Sequence, residues 1–161
     1  MSQEQTNSLP SGPLFKRLMA MVYDGFLLLG ITFAYGVVVF LLRKLFGDDT
    51  LQAPHGAVQV VILVGLALCW AFFYIWCWRR SGQTLGMKSW RLQLRADNGG
   101  TPSWQQCWLR CLLAPLSLGA LGIGYFWCLL DKNGDCLHDK WSHTRTILLP
   151  KPEKKKKSPR K

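Results

Sequence analysis

Two stretches almost free of charge constrain this chain more than anything else in it. Between Leu18 and Leu42 only Asp24 is charged, and between Ala57 and Trp78 nothing is. Each run exceeds the ~20 residues that carry an α-helix through a ~30 Å hydrocarbon layer. Both therefore predict membrane-spanning helices, over about 15–42 and 57–78. The first is expected to be a retained anchor, because a signal peptide's apolar core has roughly 7 to 15 residues and ends at a small-residue cleavage site, which this run lacks. The polar remainder of the 161 residues sits in blocks at 1–13, 79–103 and 131–161.

The exception inside the first run asks for an explanation. A carboxylate at the bilayer centre costs about 2.5 to 3.5 kcal/mol on insertion scales, so it normally has a partner or a task. Arg17 precedes Asp24 by seven residues, which on a helix is ~10 Å along the axis and only ~20° in azimuth. The two share a face, yet direct pairing would need both side chains stretched. Arg110 is a second candidate partner, and Asp139 a candidate partner for Arg17 at the membrane rim. These four charges either staple the membrane segments together or mark a proton or cation path, since both uses require burial.

Positive charge in short loops sets orientation. Arg79, Arg80, Lys88, Arg91 and Arg95 follow the second span, against Arg43 and Lys44 between the spans. Loop 79–103 is therefore expected in the cytoplasm, together with the N-terminus, and the strongly basic C-terminus should stay there too. A full crossing by the apolar stretch 104–130 would put that tail outside. Pro115 breaks this stretch, and Gly119, Gly122 and Gly124 loosen its second half. Trp104 and Trp108 share one helical face while Gln106 and Arg110 lie on another, the pattern of an interfacial helix. The preferred reading is a re-entrant hairpin shielded by protein, with a third span as the alternative.

Trp90 to Arg95 alternates apolar and polar residues and runs into Asp97-Asn98-Gly99-Gly100, so a short strand and turn are predicted, with 144–149 as a candidate partner strand. The fold class is thus an all-α membrane protein: two spanning helices, a broken third apolar segment, and a small cytoplasmic β element. A membrane domain over 14–150 lies between tails at 1–13 and 151–161 that are too polar to fold. The basic tail, with Lys154, Lys155, Lys156, Lys157, Arg160 and Lys161, is expected to meet anionic lipid headgroups, each cation gaining about 1 kcal/mol there, and no nucleic acid.

Little else points to chemistry. The six cysteines fall mainly in apolar segments, where a thiol behaves as a small hydrophobe, so disulfides are not expected. Cys136, His138 and His143 fit no zinc spacing, and no metal or cofactor is expected. No nucleophile and base pairing or phosphate loop is evident, so an enzyme is not expected.

Taken together, these residues resemble the RDD family of small bacterial membrane proteins, named for one arginine and two aspartates. Arg17 and Asp24 match the first helix of that family. Gly82-Gln83-Thr84-Leu85-Gly86-Met87-Lys88, the Asp97–Gly100 turn and Arg110 match its middle block. Asp131 and Leu137-His138-Asp139 match its closing block, whereas Ser142-His143-Thr144 departs from the small residue and glycine expected before the threonine. The resemblance covers about 14–149 and implies an inner-membrane protein with a suggested transport role. The resulting expectation is transport of ions or small solutes by a homo-oligomer or with a membrane partner, Asp24 being the working carboxylate and Arg17, Arg110 and Asp139 controlling its charge. The alternative is a scaffold whose charges are structural and whose basic tail binds lipid.

Overall fold

A computed structural model describes residues 9–47, 52–120, 122–131 and 134–151. The basic-tail positions Lys154, Lys155, Lys156, Lys157, Arg160 and Lys161 lie outside the described residues. Two long helices dominate: α1 (Leu14–Leu45) and α2 (Ala57–Ser81), each with a mean hydropathy of 2.4 over its most apolar window. Both exceed the spans predicted from charge alone, since the flanking Arg43, Lys44, Arg79 and Arg80 continue the helices. Basic side chains are favourable in a last helical turn, where they meet the negative end of the dipole. Gly82 then stops α2 with φ +68°, its N–H donating to the Trp78 carbonyl at 2.9 Å. A left-handed residue at this position is a common helix stop, and glycine adopts it without strain.

The chain next folds into a compact end piece. Helix α3 (Leu85–Ser89) is capped by Thr84, whose hydroxyl accepts from the Met87 N–H at 3.1 Å. Strand β1 (Leu92–Ala96) follows, burying Leu92, Leu94 and Ala96 while Gln93 and Arg95 lie half-buried, the alternation legible in its sequence. It pairs antiparallel with β2 (Thr144–Leu148) in the register Leu94 opposite Thr146. The 2.7 Å bond from the Leu94 N–H to the Gly82 carbonyl ties this sheet to the end of α2.

The sequence predicts a disordered tail over 1–13, yet residues 10–12 lie along the other edge of β2. Leu148 N–H donates to the Pro10 carbonyl and Gly12 N–H to the Thr146 carbonyl, both at 2.9 Å. Backbone hydrogen bonds to an open strand edge need no apolar side chains, which is why hydropathy gives no sign of it. A Cβ on Gly12 would meet the end of the Leu92 side chain, so a larger residue there requires Leu92 to shift.

The third apolar segment comprises α4 (Trp104–Gly119) and α5 (Ile123–Leu130), with an 86° bend between the two halves. A capping box between Ser103 and Gln106 starts α4, and Pro115, expected to break the stretch, lies inside this helix; the break falls after Gly119, where Gly122 adopts φ +74°. Both ends of this segment return to one unit, formed by β2 and the short helix α6 (Leu137–Trp141). Gln106 donates to the His143 carbonyl at 2.9 Å near the start, and Asp131 receives Lys140 at 2.5 Å at the end. This is a bent apolar segment, a shape common to the two alternatives drawn from sequence, a re-entrant hairpin and a broken third span. The buried core lies where the helices meet the sheet: Ala20, Ile75, Trp78, Met87, Leu92, Leu94 and Cys107. Farther along α1 and α2 the large apolar side chains, Phe33 and Val61 among them, face outward as a lipid-exposed surface requires.

Candidate functional site

Helix α6 holds Asp139 completely buried. One carboxylate oxygen receives Arg17 from α1 and the other receives Arg110 from α4. The first of these oxygens also accepts the Cys136 N–H at 3.3 Å, completing the cap of α6. Burial alone would push the carboxyl up, but the two guanidiniums outweigh it and hold Asp139 well below the usual carboxylate range.

Arg17 is saturated. Its Nε donates to the Gly12 carbonyl at 2.8 Å, Nη1 to Asp139 and to Cys136 Sγ at 3.0 Å, and Nη2 to the carbonyls of Gly134 at 3.4 Å and Thr146 at 3.3 Å. Those bonds engage all five donors of a guanidinium. Arg110 is less fully engaged: Nη1 donates to Asp139 and to Thr144 Oγ1 at 3.0 Å, and Nη2 to Thr146 Oγ1 at 3.2 Å. Its guanidinium also lies over the Trp78 ring, 5.5 Å from the centroid.

Asp24 stands apart from this cluster. The charge pattern offered Arg17 or Arg110 as its partner, and neither reaches it. Its carboxylate accepts instead from Thr84 Oγ1 at 2.5 Å and from the Gly86 N–H at 2.9 Å. These donors belong to the first turn of α3, which packs so closely on α1 that a Cβ on Gly86 would strike the Ala20 carbonyl and come within 2.9 Å of Asp24. The helical face shared by Arg17 and Asp24 is real, but the ~10 Å axial separation prevails, because Arg17 turns to Asp139 and Asp24 meets α3. Arg17, Arg110 and Asp139, expected to control the charge of Asp24, make no hydrogen bond or ion pair with it.

The arginine and the two aspartates that carry the resemblance thus make two separate junctions within one domain. A family model for the RDD family matches residues 11–143. The chain belongs to the RDD family. No curated relative and no solved structure matches it. For this RDD protein, the match runs from the edge segment at Ser11 through both spans to the turn at His143, so it includes every side chain of both junctions except Thr144 and Thr146.

Sequence reasoning missed several participants. Thr84 and Gly86 lie in the quoted middle block, where Thr before a helix and Gly two residues later signal a cap and a close approach. In the sequence Cys136 and His138 stand out only as candidate metal ligands, and Thr144 and Thr146 carry no signal beyond that of a strand. His138 is buried, its ring 4.5 Å from that of Tyr125, and Nδ1 has no hydrogen-bond partner. Burial and the neighbouring Arg110 push its pKa down to about 3, so the imidazole is neutral. Cys136, His138 and Asp139 come near enough to suggest a metal cluster. Arg17 and Arg110 already occupy the Cys136 and Asp139 ligand atoms, however, and two guanidiniums there oppose any added cation. Burial also pushes the Cys136 thiol up to about 12, against the thiolate a metal would need.

Between α1, α2 and the bent segment lies a cavity of about 590 Å³. Ala71, Trp70, Pro115 and Leu118 give it apolar walls, and Asp24, Arg17, Arg110 and His138 line its polar side. Both junctions therefore open on one space.

Proposed function

We propose that this RDD family membrane protein transports ions or small solutes, with Asp24 as the working carboxylate. The observation that carries this reading is a carboxylate only 3% exposed that has no cationic partner among the described residues and lines a cavity between the membrane helices. Buried carboxylates are normally neutralised by a cation or a proton, and one that is not has the means to take either up. Two spans and a hairpin enclose no continuous polar path, so the working unit is a homo-oligomer or a complex with another membrane protein. The basic loops orient it in the inner membrane of a bacterium with both ends cytoplasmic and the basic tail on anionic lipid. It is not an enzyme and uses no cofactor.

A second reading, a scaffold, draws on the other junction. Asp139 joins α1, α4 and α6 through two buried ion pairs, an arrangement that holds segments together and leaves nothing free to titrate. Ion or proton flux in proteoliposomes, compared for wild type and Asp24→Asn of equal detergent elution volume, separates the two. Flux lost in a well-folded variant supports transport, whereas no flux in either protein supports the scaffold.

A further inference from the structure

The cavity carries more than a place for an ion. We propose that it binds an amphipathic zwitterion: an apolar body in the helical walls, an ammonium group at Asp24, and an acidic or phosphoryl oxygen at Arg110. This deepens the transport reading by naming the chemistry of the occupant. It rests on three observations. Asp24 accepts two hydrogen bonds from uncharged donors, while a carboxylate has about four lone-pair sites, so capacity and charge are left for a cation. Arg110 uses both Nη1 hydrogens and one on Nη2, so its Nε–H and the second Nη2–H donate to nothing among the described residues. Both residues line the same cavity, whose volume of about 590 Å³ lies within the ~300–1,000 Å³ of small-molecule sites.

Charge balance selects the zwitterion over simpler ions. Arg17 and Arg110 are offset by Asp24 and Asp139, so the ionised site is neutral. A lone cation would leave it net positive in a low-dielectric setting and would leave the spare Arg110 donors unused. A lone anion would meet Arg110 but also face Asp24. A zwitterion satisfies both ends with no net charge, and Trp70 and Ala71 supply the surface for its apolar part. The same chemistry exists in the headgroup of an aminophospholipid and in a free apolar amino acid.

The test uses the full chain in a non-ionic maltoside detergent. A short-chain phosphatidylethanolamine with brominated acyl chains is titrated in, and saturable quenching of tryptophan fluorescence is read. The expected result is displacement by unbrominated phosphatidylethanolamine at concentrations at least tenfold lower than by short-chain phosphatidylglycerol or an alkyltrimethylammonium. Asp24→Asn should weaken binding at least tenfold. Ala71→Phe, which removes volume from the α2 wall and replaces no charged group, should abolish the quenching at an unchanged elution volume. Displacement by free phenylalanine assigns the occupant to free amino acids, and its failure assigns it to lipid. Equal displacement by the three headgroups, or unchanged quenching in Ala71→Phe, overturns the proposal. Zwitterion binding without solute flux would leave the site standing and remove transport, whereas flux without zwitterion preference would do the reverse.

Discussion

Asp139 and Asp24 are both buried carboxylates of one small domain, and they are satisfied in opposite ways. Asp139 faces two guanidiniums on elements distant in sequence. Asp24 faces a hydroxyl and a peptide N–H from a single turn. The first arrangement fixes a charge and spends it on holding three segments. The second holds a carboxyl group with neutral donors, so its charge stays available to whatever enters the cavity. An intramembrane acid is therefore informative about function only once its partners are known.

The contrast is broken most severely at Asp139. Asp139→Asn leaves two buried guanidiniums without a counter-charge, and removing one member of a buried pair costs about 3 to 5 kcal/mol. Loss of the monodisperse peak in detergent size-exclusion is expected, and retention of wild-type thermal stability would deny the cluster its structural role. Next comes Gly86→Ala, whose Cβ has no room between α1 and α3; overpacking of this kind costs about 1 to 3 kcal/mol, to be read as a lowered thermal midpoint.

His138 sharpens the comparison through pH. Its folded pKa of about 3 lies below the ordinary value near 6.5, so between these limits the unfolded state binds the extra proton. Stability is fully present above about pH 6.5 and falls with acidification by up to about 1.4 kcal/mol per pH unit. Asp139 adds nothing between about pH 6.5 and 5, because a carboxylate held below its usual value loses its contribution only below about pH 4. A drop in thermal midpoint between pH 6.5 and 5 that is absent in His138→Gln is the expected result. The smallest stability effect belongs to Asp24→Asn, under about 1 kcal/mol, since an amide oxygen can still accept from Gly86 and an exchange that leaves no buried charge unpaired is cheap. A loss as large as that of Asp139→Asn would erase the distinction between the two carboxylates.

Much of the architecture was legible because membrane burial writes itself as long uncharged runs. Leu18–Leu42 and Ala57–Trp78 marked the spans, the glycines from Gly119 on marked the break in the third segment where Pro115 did not, and the alternation from Trp90 to Arg95 marked β1. The four site charges were legible as residues, and Arg17 with Asp139 as a pair, but the partner of Asp24 was not. Its donors, Thr84 and the Gly86 peptide, look like an ordinary helix cap until α3 is seen against α1. The edge segment at residues 10–12 was equally hidden, because backbone pairing leaves no mark on side-chain polarity.

The sequence by itself determined that this is a membrane protein of two spans and a bent apolar segment, since no other solvent tolerates those runs, and which ionisable groups would need shelter. Only the tertiary structure decided how they were sheltered. Arg17, Arg110 and Asp139 come from the two ends of the domain and its middle, and their convergence depends on the antiparallel pairing of β1 with β2 and the return of the bent segment. Periodicity reports the environment of a residue one helix or strand at a time, whereas charge pairing and cavities arise between elements, where close packing chooses one neighbour out of many.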